Sequence, residues 1–182
     1  MRSETDAGKV QRFMQELGRR CSGAGNVYFA GGTSAVLVGW RTATVDIDLK
    51  FDPEPAGAFA AIARLKDELD LNVELAAPDD FVPAIPGWRE RSPFIATYGS
   101  IHYFHYDFQT QALSKIVRGH SQDLKDVREM LARQLVRREH IGQFAADVSA
   151  ELERYPALDA DVLREKVDDF LRTLGPDSDR DG

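Results

Sequence analysis

The stretch that most constrains the fold is residues 33–40, TSAVLVGW, which carry no charge in a chain that is 29% charged. Such a segment predicts a short helix that is buried on nearly every side. Residues 27–30 before it are β-branched and aromatic and predict a strand. Gly31 and Gly32 lie between the two. The sequence therefore predicts a strand, a glycine corner and a buried helix in succession.

A second strand is predicted at residues 45–51, because apolar and polar residues alternate there. One face carries Val45, Ile47, Leu49 and Phe51, and the other carries Asp46, Asp48 and Lys50. A later strand, at residues 71–76, places Asn72 and Glu74 on one face. The acidic side chains of the two strands thus belong to polar faces.

The remaining periodicity predicts an α/β (α+β) protein with a mixed sheet flanked by helices and a helical C-terminal part. Residues 1–108 are expected to form the α/β core with its N-terminal helix, and residues 109–174 the helical part. The tail, residues 175–182, is expected to be disordered. The other predicted elements are helices at 5–22 and 56–69, a surface loop at 78–93, and strands at 94–98 and 101–108. From residue 109 onwards the pattern is helical, with one segment that includes residues 112–117 and further helices at 122–136, near 141–153 and near 160–174.

Composition excludes several classes of protein. A single cysteine, Cys21, rules out a disulfide framework and a four-cysteine zinc site. The polar N-terminal residues do not fit a signal peptide, and no apolar run is long enough for a membrane span, so a cytoplasmic location without membrane contact is expected. The net charge of −7 argues against a nucleic-acid coat protein. A basic cluster of Arg133, Arg137 and Arg138 is expected to be mainly a solvated helix face.

Two further residue types are expected to have structural roles. The aromatic run YFHYDF, residues 103–108, alternates as a core strand does. His102 and His105 are three apart on one strand and face opposite sides, which makes them a poor metal pair.

Asp46 and Asp48 are two apart on one strand, so their carboxylates lie roughly 6 to 7 Å apart along the backbone. Such a pair can share hard cations such as magnesium, which combines a few carboxylates with water and substrate phosphates. Glycines at the strand-to-helix corner let backbone N–H groups approach an anion, and the helix adds its positive end. Glu74 is a candidate third carboxylate, either as a metal ligand or as a general base, and Asp107 is a rival for that place.

These motifs resemble a known superfamily. The glycine pair, thirteen intervening residues and DIDL are similar to the hallmark of the DNA polymerase β-like nucleotidyltransferases. RTATVDIDL and ALSKIVRGHSQDLKDVREML, residues 112–131, resemble segments of AbiEii-type nucleotidyltransferase toxins and related bacterial domains. The similarity covers about residues 25–135, and it implies the mixed sheet of the polymerase β-like fold.

The resemblance implies a magnesium-dependent enzyme that moves a nucleoside monophosphate from an NTP, its co-substrate, to an acceptor hydroxyl. Asp46, Asp48 and Glu74 would then be catalytic and metal-binding. The triphosphate would be held by Gly31, Gly32, Thr33 and Lys115, and Asp123 and Asp126 would order the site.

The acceptor is open among an RNA end such as tRNA, a protein and a small molecule. A toxin role would add a cognate antitoxin as partner. Active relatives usually have aspartate as the third acid, so an inactive nucleotide- or partner-binding module is the alternative. Lys115 and Arg118 share a helix face that can present two cations to phosphates, although Arg118 can instead pair with Asp123 or Asp126.

Overall fold

The computed structural model describes residues 3–149, 151–152 and 155–175. The chain divides into two compact units. The first unit comprises the described residues up to Pro78 together with Gly87–Asp107, and the second comprises Asp79–Pro86 and the described residues from Phe108 onwards. Residues 176–182 of the predicted disordered tail lie outside the described part of the chain.

The first unit contains a five-stranded mixed sheet, as the alternation of strands and helices predicted. Its strands are β1 (Gly25–Phe29), β2 (Asp46–Phe51), β3 (Asn72–Glu74), β4 (Phe94–Tyr98) and β5 (Ile101–His105). The spatial order is β3-β2-β1-β5-β4. β1 runs antiparallel to β2 and parallel to β5, while β2 pairs in parallel with β3 and β4 pairs antiparallel to β5. The two strands that carry the acidic residues are therefore neighbours.

The described residues of this unit form the helices α1 (Ala7–Arg20), α2 (Gly31–Val38), α3 (Ala58–Glu68) and α4 (Trp88–Arg91). α1 begins after Asp6, whose side chain accepts a hydrogen bond from Lys9 N at 2.8 Å. The apolar faces of α1 and α3 join alternate residues of β1, β2 and β5 in one core, which includes Phe13, Leu17, Phe29, Ile47, Leu49, Leu65 and Tyr103. The region predicted as a loop at 78–93 differs from the expectation, since it contains α4.

Helix α2 starts two residues earlier than predicted, at Gly31 itself. Gly31 has φ +56°, a left-handed conformation that glycine adopts without the steric cost of a Cβ. The helix has no side-chain cap, because Ala30 occupies the N-cap position. Its residues from Gly32 to Val36 are buried, in agreement with their lack of charge. The glycine pair is thus the first turn of the helix.

The second unit contains α5 (Phe108–Arg118), α6 (Ser121–Ala132), α7 (Arg138–Ser149) and α8 (Ala160–Thr173). α5 packs against α6, α7 and α8. Nearly all residues of α5 are buried, which makes it the central helix of this unit. The predicted helical C-terminal part is therefore confirmed. Within the described residues, none of the helices combines the length and the apolar character that a membrane crossing requires.

Candidate active site

The first turn of α2 lies directly against the acidic strand β2. A Cβ built on Gly31 would lie 2.5 Å from Asp48 Oδ2, much closer than an ordinary van der Waals contact. Glycine is required at position 31 for two reasons, the positive φ of the backbone and the close approach of this carboxylate. The glycine corner and the second aspartate of the Asp-x-Asp pair are therefore contiguous.

Thr33 joins α2 to β2 through its hydroxyl. The hydroxyl accepts a hydrogen bond from Asp48 N at 3.1 Å and donates one to Asp46 O at 3.4 Å. The side chain is completely buried. These contacts fix the helix start relative to both aspartates. They are positioning contacts, so the expected contact of Thr33 with triphosphate stays a prediction.

Asp46 and Asp48 point to the same face of β2 and are both half-buried, whereas Ile47 and Leu49 are fully buried on the other face. This is the face assignment that the alternation predicted. The parallel register with β3 places Asn72 beside Asp46 and Glu74 beside Asp48. Four polar side chains from two strands therefore share one patch of the sheet.

Asn72 lies between two carboxylates of this patch. Its Nδ2 donates to Asp46 Oδ1 and lies 3.4 Å from Glu74 Oε1. Glu74 itself is exposed. Among the residues that the structure describes, no group of three or more His, Cys, Asp and Glu side chains is arranged to hold a metal ion. Glu74 as a third metal ligand stays a prediction.

The other end of the α2 first turn contacts a histidine. Ser34 Oγ donates to Phe29 O at 2.9 Å and lies 3.0 Å from His105 Nδ1. Burial lowers the pKa of His105 from 6.5 to about 4, because the low-dielectric surroundings disfavour the charged imidazolium. His105 is therefore neutral at pH 7, in keeping with the structural role expected for it.

Asp107, the rival for the third acidic position, is engaged elsewhere. Arg91 donates from Nε to Asp107 Oδ1 at 3.2 Å and from Nη2 to Oδ2 at 2.9 Å. The aspartate is 1% exposed. Both oxygens of this buried carboxylate are held in a fork-like arginine pair, and the choice between Asp107 and Glu74 as the third acidic residue stays a prediction.

Lys115 belongs to the second unit, where it forms a buried ion cluster. Its ammonium lies 3.1 Å from Asp123 Oδ1 and 2.8 Å from Asp126 Oδ2, and all three side chains are at most 8% exposed. Arg118 Nε lies 3.3 Å from Asp123 Oδ2, an ionic contact without hydrogen-bond geometry. The structure thus pairs Lys115 with the two aspartates that the resemblance grouped with it. Its role toward phosphate stays a prediction.

The basic cluster in the second unit is engaged in local contacts. Arg133 pairs with Glu129, and Arg138 donates to the backbone oxygens of Leu171 and Gly175. Arg137 lies 3.9 Å from Glu139, with both side chains well exposed. These contacts agree with an ordinary helix surface.

Sequence reasoning missed two partners of the site, Asn72 as a donor to Asp46 and His105 as a neighbour of Ser34. The signal for Asn72 was present in its spacing of two from Glu74, which places both on one strand face. The register that sets Asn72 opposite Asp46 is a long-range property of the sheet. His105 gave no comparable signal, since its contact depends on how α2 crosses the sheet.

The donor set of this patch suits a hard divalent cation. Two half-buried carboxylates face one way, and the start of α2 lies against one of them. Magnesium favours oxygen ligands and usually takes only one or two protein carboxylates, with phosphates and water completing its shell. Asp46 and Asp48 therefore fit the ion that the resemblance implies.

Comparisons with known proteins place the chain in a family. Neither the curated proteins nor the solved structures gave a match. Residues 9–172 match a family described as a nucleotidyltransferase of unknown function (DUF6036). This match runs from within α1 to within α8 and includes every residue of the candidate site. The chain belongs to the DUF6036 nucleotidyltransferase family.

Proposed function

We propose that the protein is a magnesium-dependent nucleotidyltransferase that moves a nucleoside monophosphate from an NTP to an acceptor hydroxyl and releases pyrophosphate. The observation that carries the proposal is the contact between the first turn of α2 and Asp48. A Cβ on Gly31 would meet Asp48 Oδ2 at 2.5 Å, so the corner proposed to bind phosphate and the carboxylate proposed to bind the metal are adjacent.

Each part of the patch has a role in this reaction. The backbone N–H groups at the start of α2 and its positive dipole end would attract the triphosphate. Asp46 and Asp48 would hold magnesium, which when bound supplies charge neutralisation for the phosphates. The acceptor oxygen forms a bond to the α-phosphorus while the bond to pyrophosphate breaks. Glu74, exposed beside Asn72, would take the hydroxyl proton as general base.

Binding and transfer are tested separately. Calorimetry with magnesium and each NTP should detect binding in the wild type and a loss of at least about tenfold in Asp48→Asn. A labelled transfer assay on cellular RNA and protein should detect a product only with the wild type. Asp161→Asn, the same change at a side chain 88% exposed on α8, is the control that should behave as wild type. A folded wild type that binds no nucleotide refutes the proposal.

A second candidate is a nucleotide- or partner-binding module without turnover. The observation in its favour is Asn72, which places an amide opposite Asp46 where an acid would serve as ligand or base. This candidate predicts nucleotide binding by the wild type without transfer to any acceptor. Detection of a labelled product that requires Asp48 excludes it.

The resemblance to AbiEii-type toxins extends the proposal to a toxin restrained by a cognate antitoxin. In that case expression of the chain arrests growth, and Asp46→Ala abolishes the arrest. Growth at the normal rate during overexpression of soluble wild-type protein argues against the toxin role. The acceptor, whether a tRNA end, a protein or a small molecule, follows from the labelled product of the transfer assay.

A further inference from the structure

The edge of the sheet beside the two aspartates carries an amide in a distinctive position. β2 and β3 are parallel and in register, so Asn72 lies beside Asp46 and Glu74 beside Asp48. Asn72 Nδ2 donates to Asp46 Oδ1 and lies 3.4 Å from Glu74 Oε1. A neutral donor thus lies between Asp46 on β2 and Glu74 on β3.

The chemistry of this position favours a donor over another acid. A carboxylate at residue 72 would add a negative charge next to Asp46 and Glu74, where like charges disfavour ionisation. An amide adds no charge, and its N–H groups donate hydrogen bonds to the neighbouring carboxylate oxygens. The hydrogen bond from Asn72 engages Oδ1 of Asp46 and orients the carboxylate, which fixes the direction of its other oxygen, Oδ2.

We propose that Asn72 is a positioning residue for the metal site, which holds the Asp46 carboxylate in the orientation that a divalent cation requires. The inference rests on the proposed function, because it takes Asp46 and Asp48 as the ligands. Residues that hydrogen-bond to a metal ligand orient that ligand, and their loss typically weakens metal affinity about 10- to 100-fold. Asn72 acts on the ion through Asp46 and does not bind it.

The test measures Mn²⁺ binding by electron paramagnetic resonance and calorimetry, without any turnover. Asn72→Leu keeps the approximate size and removes the donor, and it should weaken Mn²⁺ binding about 10- to 100-fold. Asn26→Leu is the matched control, since Asn26 on β1 is also half-buried but donates to a backbone oxygen, Asp52 O, at 3.0 Å. The control should keep wild-type affinity.

A second variant separates positioning from direct binding and covers the case in which Asn72→Leu fails to fold. Asn72→Asp has the same shape but cannot donate when ionised, so it should also weaken Mn²⁺ binding. Stronger binding by Asn72→Asp overturns the inference, because residue 72 would then belong to the ligand set. Unchanged binding by folded Asn72→Leu overturns it as well. If the wild type itself binds no Mn²⁺ with or without NTP, the proposed function fails first.

Discussion

Replacing Gly31 by alanine should impair metal and nucleotide binding and nucleotide transfer far more than it lowers the free energy of unfolding. The new Cβ would lie 2.5 Å from Asp48 Oδ2, and an ordinary contact begins at 3.4 Å, so the carboxylate must move by about 0.9 Å. The displaced atom is the end of a side chain, so rotation relieves the clash at little cost to the fold. The same movement takes the carboxylate away from its place at the start of α2.

Gly39 provides a matched control at the other end of the same helix. It also has positive φ, +100°, but a Cβ there meets nothing within 4 Å. Both alanine variants should lose about 1–2 kcal/mol of unfolding free energy, since each forces a side chain into the left-handed region. Only Gly31→Ala changes the position of Asp48, and a misplacement near 1 Å can reduce a reaction rate about 10²-fold.

The assay combines urea denaturation with calorimetry for Mn²⁺ and NTP and with the labelled transfer reaction. We expect the two variants to unfold at similar urea concentrations. Gly39→Ala should bind and react as the wild type does, while Gly31→Ala should lose about 10²-fold in transfer. If Gly31→Ala binds metal and nucleotide as well as Gly39→Ala, the contact with Asp48 has no part in the site and the reasoning is refuted.

Three other outcomes are expected. Thr33→Val removes the acceptor of the Asp48 N–H bond, so it should lower unfolding free energy by about 1–3 kcal/mol in urea denaturation; an unchanged midpoint would contradict this. Lys115→Met leaves Asp123 and Asp126 as buried carboxylates without their cation, and denaturation should show a loss of about 3–5 kcal/mol, whereas a loss below 1 kcal/mol would show that the cluster is not structural. The unfolded chain protonates His105 near pH 6.5 and the folded chain only near pH 4, so stability due to this residue is complete above pH 6.5 and declines as the pH falls toward 4. Between pH 7 and pH 5 the wild type should therefore lose about 2 kcal/mol more unfolding free energy than His105→Gln does. Equal pH dependence of the two proteins would refute this expectation.

Local patterns were sufficient to predict most elements of the chain. The alternation of residues 45–51 fixed the faces of β2, and the uncharged run after Gly32 predicted a buried helix, because burial and period are properties of a few consecutive side chains. Helix α4 was missed because its four residues, WRER, are too few to show a helical period.

The remaining features depend on long-range packing. Lys115 on an apparently polar helix face is in fact almost completely buried, since α5 has other helices packed around it. The contact between Asn72 and Asp46 depends on the register of β2 and β3, which spacing within one strand does not determine. The close approach of Gly31 to Asp48 and the positive φ of Gly31 are properties of the folded backbone, which the motif alone did not predict.

The contact between Thr33 and Asp48 joins residues only 15 positions apart in the chain. The closure entropy of so short a loop is small, and interactions of low sequence separation form early during folding. Much of the candidate site is consequently encoded in one continuous segment from β1 to β2, with β3 adding an edge.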